Sequence, residues 1–225
     1  MYFDQYYLLL VVPTLILSVL AQVKVKSAFA KYSQIQCARG ISGRDAAILL
    51  MQQCGITDVA VESVRGSLSD HYDPHSKKLR LSEPVFARPS IAAVCVAAHE
   101  AGHAVQHAKG YAPLVLRSTL VPVANIGSSF GPWMALAGFF LQHSWLINLG
   151  ILLFGAAVLF YLVTLPVEFN ASARALALLR SNNILSEKEL AGAKAVLSAA
   201  AMTYVASALT AVMSLLRLLL LSRRR

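Results

Sequence analysis

Between Ser118 and Val167 no residue carries a charge, and this stretch limits what the chain can fold into more than any other. A helix crosses a bilayer with about 20 apolar residues, so the stretch is too long for one crossing and requires two helices joined by a turn. The turn is placed at Gln142-His143-Ser144 with Trp145 as an interfacial anchor, giving spans over 116–141 and 145–165. Gln5 to Val23 is also uncharged and reads as a first span; Asp4 stands where a cleaved signal peptide would carry positive charge. Ala195 to Leu216 is a fourth uncharged stretch. Composition agrees: 57% of the 225 residues are hydrophobic and 14% charged, against about 45–50% and about 25% in soluble domains.

A formal charge of +9 would suit nucleic acid, but multi-pass proteins gather Lys and Arg on their cytoplasmic side. The basicity is therefore read as topology, and no nucleic-acid partner is expected. Lys24, Lys26 and Lys31 hold the end of the first span in the cytoplasm. Arg217 and Arg223-Arg224-Arg225 oppose that orientation, yet it keeps about 16 of the 20 Lys and Arg residues inside. Cys37, Cys54 and Cys95 form no C-x-x-C pair and read as reduced thiols.

Most of the charge lies in the region before Pro113. Ser42-Gly-Arg-Asp45 followed by Ala46–Cys54 reads as a capped amphipathic helix closed by Gly55. Val59–Val64 alternates, and Leu68–Tyr72 and Lys78–Leu81 flank a turn at Asp73-Pro74, which predicts a small sheet with a hairpin. An edge of that sheet could hold an extended peptide, or the hairpin could be purely structural. Asp70, His71, Asp73 and His75 read as solvated turn residues rather than a second metal site.

Pro89-Ser90 then introduces a helix containing His99-Glu100-Ala101-Gly102-His103, an H-E-x-x-H pattern. Residues i and i+4 of a helix lie on one face, so His99 and His103 can grip one ion. Glu100, one position on, projects to the side, where a carboxylate reaches a metal-bound water without displacing it: a base rather than a ligand. The alternative is a chance match that leaves two core or surface histidines. Cys95 shares the face of His99 and reads as packing.

A catalytic zinc usually has three protein ligands, and two histidines leave the set incomplete. A histidine six residues after His103 would extend the motif, but Lys109 is there. His107 continues the i+4 series, although three consecutive ligands on a straight helix do not converge on a tetrahedral centre. Glu168, on a separate helix at the membrane boundary, is the stronger candidate, with Ser172 on its face able to orient a metal-bound histidine. Against it stands a plain reading of Glu168 as a helix N-terminal carboxylate and Arg174 as a surface charge.

His99-Glu-Ala-Gly-His-Ala-Val-Gln106, Gly66-Ser-Leu-Ser-Asp-His-Tyr-Asp-Pro74, Leu79-Arg-Leu-Ser82 and Thr164-Leu-Pro-Val-Glu-Phe-Asn-Ala-Ser172 together resemble the YugP-like neutral zinc metallopeptidases of bacterial membranes, over nearly the whole chain. The layout is also similar to HtpX-type membrane peptidases, in which two transmembrane helices separate the H-E-x-x-H helix from a glutamate ligand. The resemblance implies Zn2+ at His99, His103 and Glu168, with Glu100 catalytic. Ser172 stands where the HtpX pattern carries an aspartate.

The resulting expectation is a mainly α membrane protein of about four transmembrane helices with a zincin-like α+β catalytic part. It divides into an N-terminal span (1–23), a catalytic region (24–115), a helical hairpin (116–165), a segment supplying the third ligand (166–194) and a last span with a basic tail (195–225). The expected activity is peptide hydrolysis by a zinc-activated water with Glu100 as general base, on peptides or membrane proteins, at the cytoplasmic side of the cell membrane. Its rivals are a zinc hydrolase of a non-peptide substrate and a membrane scaffold or transporter. Apart from Arg217 near one end, no acidic or basic residue of the kind that ion pathways use interrupts the four spans.

Overall fold

The computed structural model describes residues 4–223; Met1–Phe3 and the last two arginines of the basic tail lie outside it. A π-helical turn at Tyr7–Val11 opens into α1 (Val12–Ser33), followed by α2 (Gly43–Gln53), β1 (Ala60–Val64), β2 (His71–Asp73), β3 (Lys78–Ser82), the short α3 (Glu83–Phe86), α4 (Ile91–Ala108), α5 (Ala112–Leu141), α6 (Ser144–Ser181) and α7 (Glu187–Arg223). The chain forms two compact units: one of residues 1–22, 112–166 and 202–225, the other of 23–111 and 167–201.

In the first unit, α5 and α6 meet through glycines. A Cβ on Gly127 would lie 2.1 Å from the Leu153 carbonyl oxygen, one on Gly131 2.9 Å from that of Gly150, and one on Gly138 2.7 Å from the Ile147 backbone nitrogen. Rising positions on α5 meet falling positions on α6, so the helices are antiparallel and nearly in backbone contact, as small residues permit in lipid. Ala124, Ala135, Phe154, Ala157, Val158, Ala211 and Leu218 form this unit's apolar core. Ser18 and Thr210 join α1 to α7 by hydroxyls 3.3 Å apart. Asp4 accepts from Arg217 Nε and Nη2 at 2.9 and 2.6 Å.

Among the described residues three helical stretches, Tyr7–Ser33, Ser144–Ser181 and Glu187–Arg223, are long and apolar enough to cross a membrane; the expected count was about four. The exception is α5, which has the length but contains Pro122 and Pro132 and is diluted by Asn125, Ser128 and Ser129. The helices are also longer than the expected spans. α6 runs without a break through Pro166, so Glu168 does not begin a separate helix. Proline in a long apolar helix is tolerated where neighbouring groups satisfy the freed carbonyl.

In the second unit the sheet has the order β1-β3-β2. β3 pairs antiparallel with β2, His71 opposite Arg80, around the turn expected at Asp73-Pro74, and parallel with β1, Ala60 opposite Lys78. β3 is the buried central strand, with Leu79 and Leu81 fully enclosed. Ser42 caps α2 by accepting from the Asp45 N–H at 3.1 Å, a contact worth about 1 kcal/mol. α4 is buried along nearly all its length among Ala47, Leu50 and Met51 of α2, Val85 of α3, and Ala175 and Leu179 of α6. A helix apolar all round belongs in the middle of a core, and here its few polar residues form the site.

Candidate metal centre

The start and end of α4 are both fixed by its sequence. Ser90 accepts from the Ala93 N–H at 3.2 Å. At the other end Gly110, at φ +59°, lets the Tyr111 N–H return to the Gln106 carbonyl at 2.9 Å, the closure a left-handed glycine provides. Between these ends His99 and His103 lie on one face, their rings edge to face with centroids 4.7 Å apart. α6 comes close because position 102 is glycine: a Cβ there would stand 2.8 Å from the Ala171 carbonyl oxygen.

That approach brings Glu168 to the histidines. Glu168 Oε2 lies 3.2 Å from His99 Nε2 and 3.6 Å from His103 Nε2, and the two Nε2 atoms are 3.2 Å apart. Three ligands about 2.0–2.1 Å from a tetrahedral zinc would sit about 3.3–3.4 Å from one another, so the three atoms already mark one face of such a centre. Two imidazoles and a carboxylate are a zinc donor set. Among the described residues this is the one group of three or more His, Cys, Asp or Glu whose ligand atoms converge.

Burial sets the electrostatics. Glu168 is only 2% exposed. Burial by itself would raise its carboxyl pKa, but hydrogen bonds and charge from His103 and His99 outweigh it and hold the group well below the usual carboxylate range. For His103, burial opposes charge, and the bond to Glu168 with the nearby charge of Glu100 overcomes it and raises the imidazole above its ordinary value. A dry site thus holds its charge by pairing.

The outward-facing ring nitrogens are also engaged. His99 Nδ1 meets Ser172 Oγ at 3.2 Å, and His103 Nδ1 meets Gln106 Oε1 at 2.9 Å. Partners on Nδ1 orient each ring and leave Nε2 for the metal. Ser172 was legible from its spacing to Glu168. Gln106, fully buried, was not singled out, although a glutamine on an otherwise apolar helix, three residues after a candidate ligand, is the signal that would have found it.

The other candidates fall elsewhere. Glu100 is buried and outside the converging trio, near enough to act electrostatically on His103. His107 Nδ1 is bonded to the Tyr72 hydroxyl of β2 at 2.7 Å, and burial together with Asp58 and Asp73 pushes that phenol up to about 12, so it stays protonated. Asp70 accepts from the Ser82 N–H and hydroxyl, and Asp73 from Ser76 and Arg80; both tie the hairpin. Cys95 is enclosed, and burial pushes its thiol up, away from the thiolate a metal needs.

A family profile described as "Putative neutral zinc metallopeptidase" matches residues 7–223. A relative described as "Putative membrane protease YugP", from Bacillus subtilis (strain 168), is 48% identical over 215 residues, covering 96% of this chain and 96% of the relative. No solved structure matches the chain. The match of nearly the whole chain to that profile, together with the relative's identity over the same length, means that the chain belongs to the neutral zinc metallopeptidase family.

Proposed function

We propose that the protein is a membrane-embedded zinc metallopeptidase that hydrolyses peptide bonds with Glu100 as general base. The observation that carries this reading is the triangle of His99 Nε2, His103 Nε2 and Glu168 Oε2, sized for one small tetrahedral ion. Zinc, when bound there, supplies Lewis acidity towards water and a peptide carbonyl. The two imidazoles and Glu168 hold the ion, and Ser172 and Gln106 keep the rings turned towards it. Glu100, unused as a ligand, takes the proton from the attacking water on its carboxylate and delivers it to the departing amine. α4, buried along nearly all its length, excludes bulk water from one side.

Four crossings fit the connectivity. α6 is apolar enough to span, and α5 lies antiparallel along it through Gly127, Gly131 and Gly138, so a membrane that α6 crosses is crossed by α5 as well. Asp4 on the approach to α1 and Arg217 near the end of α7 are ion-paired, which supports an even number of crossings by bringing those two helix ends together. Lys24, Lys26 and Lys31, read by the positive-inside rule, favour the cytoplasmic side for the site. Because α6 both crosses the bilayer and carries Glu168, the substrates are peptides or membrane proteins close to the bilayer surface.

The test uses detergent-purified protein, with bound zinc and casein cleavage compared for wild type and Glu100→Gln. Equal zinc with activity in the wild type alone supports the reading. Undiminished cleavage by the variant removes Glu100 from its role, and cleavage of a lipid or other non-peptide substrate in place of casein changes the substrate class.

A further inference from the structure

A chain of hydrogen bonds runs from the partly exposed Arg174 to His103, and every link has a forced direction. Arg174 Nε can only donate, so the atom it meets at 2.7 Å is Asn170 Oδ1. Gln106 meets that same oxygen at 3.0 Å and therefore presents its NH2 group. The other hydrogen of that NH2 goes to the Val167 carbonyl at 2.9 Å, which can only accept. With its nitrogen committed twice, Gln106 has only its oxygen left for His103, 2.9 Å away. His103 Nδ1 must then carry a hydrogen, so once the ring gives up its second proton the lone pair lies on Nε2, on the side of Glu168 and His99.

We propose that Arg174, acting through Asn170 and Gln106, is a positioning residue that selects the Nδ1–H tautomer of His103 and so presents Nε2 to the metal. The inference rests on the reading of His103 as a zinc ligand. It assigns a task to three residues that are not themselves ligands, of which Gln106 alone touches the converging trio. Asn170 and Val167 flank Glu168 on α6, so the amide of Gln106 also pins the helix that carries the third ligand to the helix that carries the other two. Arg174 lies over the Tyr111 ring, its guanidinium carbon 5.9 Å from the centroid, which keeps the donor in place without withdrawing it from water.

Arg174→Glu separates this account from simple electrostatics. Replacing a cation by an anion near the site should tighten zinc binding if charge alone matters. The bond chain requires the reverse: an acceptor at position 174 turns the Asn170 NH2 inward, that NH2 demands an oxygen from Gln106, and the Val167 carbonyl then faces that oxygen. Full-length protein in detergent is titrated with zinc against a competing chelator, and the ring nitrogens of the zinc-loaded protein are read by 15N NMR after histidine labelling. The expected result is about 10–100-fold weaker zinc binding in Gln106→Leu, the range for losing a partner of a metal-bound histidine. A smaller loss is expected in Arg174→Glu, near wild-type binding in Arg174→Lys, which also only donates, and a single Nδ1–H signature for His103 in wild type and Arg174→Lys alone. Tighter binding in Arg174→Glu, or unchanged affinity and signature in both Arg174→Glu and Gln106→Leu, overturns the proposal. Wild-type zinc binding by His103→Ala instead overturns the reading of the site itself.

Discussion

His99, Glu100, His103 and Glu168 divide into two kinds by what their loss should do. Glu168→Ala removes one of three converging ligands and should weaken zinc binding by more than the about 10–100-fold that follows loss of an outer partner, whereas His107→Ala, whose ring is held by Tyr72, should leave it within about that margin; chelator competition reads both. Glu100→Gln should keep its zinc and lose about 100- to 10,000-fold in peptide cleavage, the usual contribution of a general base. In the zinc-free protein, protonated His103 pairs with ionised Glu168. The raised histidine contributes stability that is complete below the ordinary imidazole pKa of about 6.5 and is lost as pH rises through its elevated folded value. The depressed Glu168 contributes stability that is complete above the ordinary carboxyl range and is lost as pH falls through its lowered folded value. Zinc must displace the His103 proton, so its affinity should keep rising with pH beyond the range of an ordinary histidine, with proton release on binding measurable by calorimetry in buffers of different ionisation enthalpy.

Two helices make the centre, and one glycine sets their separation. Gly102→Ala puts a methyl group against the Ala171 carbonyl of α6, where neither backbone can yield cheaply. Overpacking of this kind costs about 1–3 kcal/mol, and here it also pushes Glu168 away from the histidines, so melting temperature and zinc affinity should fall together. A loss of stability with unchanged affinity would show that the site does not depend on that approach. At this scale much was readable from the chain alone. The caps at Ser42 and Ser90, the turn after Leu141 and the hairpin at Asp73-Pro74 all have local chemical signals. The third ligand emerged from spacing and resemblance together. What escaped was non-local: the parallel pairing of β1 with β3, Gln106 and Asn170 binding each other across two helices, and the persistence of α6 through Pro166, where local preference predicts a break.

Across the whole molecule, the ion pair of Asp4 with Arg217 and the antiparallel packing of α5 on α6 lead to a topology that can be measured. Reporters at the N-terminus and the C-terminus should fall on one face of the membrane, and a reporter inserted at the His75–Lys77 turn on the other, the cytoplasmic one. Termini found on opposite faces would mean that α5 does not cross. The sequence reads as about four crossings, whereas three helices are apolar enough by themselves, because α5 carries Pro122, Pro132, Asn125, Ser128 and Ser129 within its length. The division of the site also has a consequence in time. The ribosome delivers His99 and His103 first, and Glu168 only after the whole of α5 and the apolar part of α6 have been made. In a nascent chain the converging trio can therefore come together only after the α5–α6 hairpin has been made.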